Sequence, residues 1–220
     1  MAPSISAVLF DFDHTLGVDN RLEERVLRII ADRHCLKPPD DAAVASALRR
    51  FRSEDVKLAT MLRDAFSSWG YTGDVVPEYK AECLRLLPES LTPMPGAAQT
   101  LRALAERGLT VAILTNGWSE LQRAKAAAIG FAGPVIVSEE IDAWKPERRA
   151  FEIACGQLDV RAARSMYVGD SPTTDVAGSK NAGMIALWAR LEEQTYPDDV
   201  VKPDYTVTRL EDVVAIAVKA

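Results

Sequence analysis

Apolar positions along this chain keep two different rhythms. Ala7–Phe10 is an unbroken apolar run with branched side chains, the pattern of a strand buried on both faces of a parallel sheet. After Leu16 the spacing turns helical. Leu22, Val26, Leu27, Ile29 and Ile30 form one stripe, and Val44, Ala47, Leu48 and Phe51 a second. Val56, Leu58, Ala59, Leu62, Ala65 and Phe66 form a third. Asp40 and Asp41, after Pro38-Pro39, and Ser53 before Glu54 supply helix-start side chains. Gly70 and Gly73 break the run, residues 79–87 predict another helix, and Pro88, Pro93 and Pro95 punctuate the return.

From Gly96 onward strands and helices alternate. Helices are predicted over residues 97–107, 119–129, 147–157, 174–182 and 210–218, with Gly108, Gly130 and Gly183 closing three of them. Strands are predicted over residues 109–114, 134–137, 165–168, 184–188 and 205–207. Such alternation implies a largely parallel sheet covered on both faces. The first strand belongs to it, because alone it has nothing to pair with. The expected fold is α/β: a Rossmann-like parallel-sheet core with helices on both faces, residues 1–16 and 92–220, interrupted by a helical insertion, residues 17–91.

Composition narrows the function. The 220 residues are 48% hydrophobic and 26% charged, the balance of a soluble globular protein. A net charge of −6 argues against general nucleic-acid binding, yet leaves room for an anionic substrate where a local cation dominates. No basic segment precedes the first apolar run and no apolar stretch is long enough to span a bilayer, so no membrane partner is expected. Cys35, Cys83 and Cys155 are odd in number and widely spaced, which fits reduced thiols in a cytoplasmic protein. With His14 and His34 as the only histidines, a His-based zinc or iron site is not expected.

Candidate chemistry gathers at the predicted strand ends, where parallel α/β sheets bind their ligands. Asp11 and Asp13 follow the first strand one residue apart, which in extended chain points both carboxylates to one side. Two carboxylates so placed repel unless a cation or proton lies between them, and the natural reading is an oxygen-ligand site for Mg²⁺ beside a phosphate. A polar turn or helix cap is the plainer alternative. Thr115-Asn116-Gly117 fits a phosphate cradle or an ordinary Asn-Gly turn. Lys145, before Pro146, stands at a helix entrance, where the dipole disfavours a cation; it suits a lysine aimed at an anion or, as single lysines more often are, an ordinary solvated one. Asp170 leaves a strand after Gly169, and Asp175 follows one turn later. Either alone reads as a helix cap.

In order along the chain, DxDxT, Thr-Asn-Gly, Trp-Lys-Pro and Val-Gly-Asp-Ser followed by Asp-Val-Ala-Gly resemble the four motifs of the haloacid dehalogenase-like hydrolase superfamily. The resemblance spans residues 8–188, and the helical insertion lies where that family carries its cap. It implies a Mg²⁺-dependent phosphatase acting on a small phosphorylated metabolite. Asp11 would be the nucleophile that becomes an aspartyl-phosphate, and Asp13 the general acid and base. Mg²⁺ would be held by Asp11, the Asp13 backbone carbonyl and Asp170, with Asp175 orienting a water on it. Thr115 and the Asn116 amide would cradle the phosphoryl oxygens, and Lys145 would neutralise charge between Asp11 and substrate. The family's dehalogenases lack an acid at the position of Asp13, which directs the expectation to phosphoryl transfer. His14 stands where the family often has Gly or Asn.

A phosphomutase using the same intermediate, and a non-catalytic binding protein on this scaffold, are the competing functions. Specificity is expected from the cap, closing over the core to exclude water. There Arg49, Arg50, Arg52, Lys57 and Arg63 suit an anionic substrate or simply a solvated helix face. Phe66, Trp69 and Tyr71 suit base stacking or packing, and Trp118 and Trp144 suit a pocket wall or packing beside the phosphate loop. The oligomeric state is not legible in the sequence.

Overall fold

A computed structural model describes residues 5–53 and 56–219. Glu54, part of a predicted helix start, lies outside the described residues, as do the side chains of Arg50, Arg52 and Ser53. Two compact units share the chain: one holds it up to Val18 and again from Thr92 onward, and the other is Asp19–Leu91.

The first unit opens with β1 (Ala7–Phe10) and a two-residue strand, β2 (Gly17–Val18). The second unit is helical: α1 (Leu22–Arg33), α2 (Asp41–Ser53), α3 (Leu58–Ser68) and α4 (Val76–Ser90). Most positions of the predicted stripes are its interior, with Leu22, Val26, Leu27, Ile30, Leu62 and Phe66 all buried, whereas Ile29 is half-buried and Ala59 exposed. Val56 falls before α3 rather than in it. Pro88, expected to end a helix, lies inside α4, which continues past it as Leu91 N donates to Leu87 O at 2.9 Å. Phe66 packs edge-on against Trp69 and Tyr71, so these aromatics serve the packing of the helical unit.

The chain returns in β3 (Thr92–Pro93), which pairs antiparallel with β2. Two residues a side carry no period, so this ribbon was invisible to sequence patterning. Then follow α5 (Ala97–Ala105), β4 (Thr110–Thr115), α6 (Ser119–Ala128), β5 (Val135–Val137), a short unexpected α7 (Ser138–Ile141) and α8 (Arg148–Gln157). β6 (Ser165–Gly169), a single π turn (Pro172–Val176), α9 (Ala177–Asn181), β7 (Ile185–Ala189), β8 (Tyr205–Val207) and α10 (Asp212–Lys219) complete the unit. The helix expected over 174–182 is therefore shorter, because Ser171 Oγ accepts from Thr174 N at 3.2 Å and the wider turn comes first.

Six strands make one parallel sheet in the order β5-β4-β1-β6-β7-β8. Leu9, Leu114 and Tyr167 pack on Phe151 and Ala154 of α8, which is why these strands read as continuous apolar runs. From β1 the winding runs outward to β4 and β5 on one side and to β6, β7 and β8 on the other. That reversal opens a crevice at the carboxyl ends of β1 and β6, the binding place of such sheets. Phe10 sits opposite both Ile113 and Val168, so the polar groups that follow all three strands emerge on one edge.

Candidate active site

Asp11 continues the strand pairing, its backbone N donating to Val168 O at 2.9 Å, and its side chain turns into the crevice. The carboxylate is 2.7 Å from Lys145 Nζ. Lys145 is buried, and its ammonium also donates to Asp175 Oδ1 and to Tyr167 Oη, each at 2.8 Å. An ammonium has three protons, and three acceptors take them. Tyr167 in turn donates to Leu114 O at 2.7 Å, tying the lysine to the middle of the sheet. Lys145 is thus no solvated lysine: the anions it faces are Asp11 and Asp175.

Two small features place these groups. Asn116 pairs its side-chain amide with the Lys145 backbone in both directions: Oδ1 accepts from Lys145 N and Nδ2 donates to Lys145 O, each at 2.9 Å. Asp175 accepts from Ser171 N at 3.0 Å through Oδ2, and the same oxygen lies 2.3 Å from where a Cβ on Gly169 would stand. Only glycine allows that approach. Asp170 receives Thr15 Oγ1 at 3.4 Å, while its carbonyl accepts from Trp188 Nε1 at 2.8 Å.

Oxygens of Asp11, Asp170 and Asp175 all lie within 4.8 Å of one another. Three carboxylates around one ammonium leave an excess of negative charge in a place with little water. Burial pushes the Asp11 carboxyl up to about 8, against the pull of Lys145 and with Asp175 and Asp170 adding to the rise. Burial and Asp175 push Asp170 up to about 6. Burial alone would lower Lys145, but Asp11 and Asp175 outweigh it and hold the ammonium above its usual range. A hard divalent cation with oxygen ligands answers that imbalance, and the donor chemistry fits Mg²⁺.

Asp13 departs from the expected pairing with Asp11. Its carboxylate is not one of the three clustered carboxylates. Oδ1 accepts from Lys125 Nζ at 2.8 Å and Oδ2 from Gln122 Nε2 at 3.1 Å, both on α6. The strand ends at Phe10, and beyond it the chain turns, with Leu16 N donating to Phe12 O at 2.8 Å, so the two-residue period no longer applies. His14 takes a left-handed conformation, φ 59°, which Gly and Asn adopt readily, and its Nδ1 is 3.3 Å from Glu192 Oε1.

Thr115 closes β4 and is buried. The loop after it is no simple turn: Gly117, at φ 137°, donates its N–H to Ser138 Oγ at 3.0 Å. Trp118 is buried and presents no face for stacking, and Trp144 is half-buried. On the helical unit Arg49, Lys57 and Arg63 are exposed, as a solvated face requires. Gln122, Lys125 and Tyr167 were missed by sequence reasoning. One signal was present: Lys125 lies in the buried line Leu121, Lys125, Ile129, where spacing calls for an apolar residue.

A family model described as a haloacid dehalogenase-like hydrolase matches residues 5–183. A pyrimidine 5′-nucleotidase of Escherichia coli is 30% identical over 152 residues, 67% of each chain. A glyceraldehyde 3-phosphate phosphatase of Methanopyrus kandleri is 28% identical over 230 residues, 93% of this chain and 94% of the relative. Among solved structures, a 2-haloacid dehalogenase of Pseudomonas syringae superposes with a TM-score of 0.75 at 24% identity, covering 98% of this chain and 99% of its own. That likeness speaks for the fold.

Proposed function

The chain belongs to the haloacid dehalogenase-like hydrolase family, and we propose that it is a Mg²⁺-dependent phosphatase that hydrolyses a small phosphomonoester through an aspartyl-phosphate on Asp11. Family membership and the phosphatases among its relatives make phosphoric monoester hydrolysis the reaction class. The mechanism is carried by one observation: two carboxylates two positions apart have separate environments, Asp11 among Lys145, Asp170 and Asp175, and Asp13 against Gln122 and Lys125.

Asp11, Asp170 and the Asp13 carbonyl would hold the cation, with Asp175 beside them. When bound, it neutralises the repulsion between these carboxylates and an incoming phosphate dianion. In the first step an Asp11 oxygen attacks phosphorus as the bond to the ester oxygen breaks, and Asp13 gives its proton to that oxygen. In the second, Asp13 takes a proton from water as the water oxygen attacks phosphorus, and Asp11 leaves as a carboxylate. Thr115 Oγ1 and the Asn116 N–H donate to the phosphoryl oxygens, and Lys145 keeps the charge on Asp11 balanced between steps. The substrate we assign is a small phosphorylated metabolite, as the names of the phosphatase relatives suggest, and the compartment the cytoplasm, which the free thiols of Cys35, Cys83 and Cys155 fit.

Phosphate release from a panel of phosphomonoesters, 4-nitrophenyl phosphate among them, tests the reading with Mg²⁺ and with chelator. Turnover that needs Mg²⁺ and disappears in Asp11→Asn is expected. Turnover surviving Asp11→Asn refutes the nucleophile.

A further inference from the structure

We propose that Gln122 and Lys125 are positioning residues for Asp13, together holding its carboxylate in the orientation from which it protonates the leaving oxygen. This inference rests on the phosphatase reading above. A carboxylate held by one donor can pivot about its side-chain bonds. Asp13 is held at both oxygens, by donors three residues apart on one face of α6. That helix starts at Ser119, one residue beyond Thr115-Asn116-Gly117, and Gln122 Nε2 also donates to Asn116 O at 3.2 Å. The phosphate loop and the acid are therefore referenced to the same rigid element.

Two costs indicate that these side chains are placed for this contact. Lys125 is 1% exposed, and burying an ammonium is unfavourable unless it is paired. Gln122 is 4% exposed, and its Oε1 has no hydrogen-bond partner. Turning the amide to satisfy that oxygen would withdraw the donor from both Asp13 and Asn116. Gly117 adds a third sign, because a Cβ there would stand 2.8 Å from Gln122 Nε2. The loop is built to let this amide approach.

The test separates positioning from general stability by the leaving group. Esters of 4-nitrophenol need little help from an acid, whereas an alkyl phosphate such as glycerol 3-phosphate does. Asp13→Asn, Gln122→Leu and Lys125→Met, each with Mg²⁺, are compared with wild type on both esters in single-turnover release of the alcohol, which reads the first step alone, since Asp13 also serves as base in the second step whatever the ester. Both positioning variants should lose at least about 30-fold in this first-step rate on the alkyl ester and less than about 3-fold on the aryl ester, with substrate affinity unchanged, part of the ~10²–10⁴-fold that a placed acid contributes. Asp13→Asn should show the same split more strongly. Crystals of Gln122→Leu should show Asp13 in another rotamer while Asp11, Lys145 and Asp175 keep their places. If Asp13→Asn shows the split and Gln122→Leu loses equally on both esters, or on neither, the positioning inference fails alone. If Asp13→Asn shows no split, the acid assignment fails and the inference with it.

Discussion

Asp11 and Asp13 are two residues apart, and each faces a buried lysine, yet the two pairs are built differently. Lys145 is enclosed: its partners Asp11 and Asp175 are themselves nearly or fully buried, with side-chain exposures of 12% and 1%. Lys125 is as deeply buried, but the Asp13 side chain is 36% exposed. The enclosed network fixes charge, which suits a nucleophile that must meet an anion without drifting. The half-open one leaves its carboxylate in reach of water and of a leaving oxygen, which suits a group that exchanges a proton every turnover. On the proposed reaction the same pair of residue types would serve two purposes, separated by how much water reaches the carboxylate.

The sharpest way to break this contrast is to remove each anchor. Asp11→Asn should abolish turnover of both alkyl and aryl esters, by at least about 10⁴-fold, as loss of a covalent nucleophile does. Lys145→Met leaves Asp11 and Asp175 buried with no ammonium between them. A broken buried pair costs about 3–5 kcal/mol, so denaturant unfolding should show a loss of that order, partly restored by Mg²⁺. Lys125→Met should cost less in the same assay, because water screens Asp13.

A smaller and more selective effect is expected from the glycine that serves each network. Alanine at Gly169 drives a Cβ against Asp175, and alanine at Gly117 strains a φ of 137° and pushes on Gln122. Each should lower stability by about 1–3 kcal/mol. Gly169→Ala should reduce single-turnover release of the alcohol from alkyl and aryl esters alike, whereas Gly117→Ala should spare that step for the aryl ester. Equal behaviour of the two would erase the distinction between the networks.

The smallest effect lies outside both. Glu82 on α4 receives hydrogen bonds from Arg85 and Arg33, which outweigh burial and lower its carboxyl from 4.5 to about 2. A folded value below the unfolded one means its contribution is full above pH 4.5 and is lost as pH falls toward about 2. Unfolding followed by circular dichroism should show wild type losing stability through that window and Glu82→Gln losing less, with activity at neutral pH unchanged.

Much of this was open to sequence reading because it is local or periodic. The core strands announce themselves by continuous apolar runs, and the polar residues following β1, β4 and β6 announce the functional edge. Asp11, Lys145, Asp170 and Asp175 were legible one by one, as carboxylates and a lysine at strand and helix ends. The pairing of Asp13 with Gln122 and Lys125, outside the cluster, was not, since it depends on where the strand stops and the turn begins. Nor was the ribbon of β2 and β3, too short to carry a period, or Pro88 inside α4, where helix packing overrides a local terminator.

By itself the sequence determined the α/β class, the helical insertion and the order of the polar strand ends, because hydrophobic period and chain order are properties of neighbouring residues. Only the tertiary structure decided which groups meet. Asp13 and Lys125 are 112 positions apart, and Lys145 and Asp175 are 30. Pairings at such separations come from parallel register and from the reversal of winding beside β1, which bring the ends of β1, β4 and β6 to one edge. A local pattern can mark a lysine as buried; it takes the packed sheet to say which carboxylate holds it there.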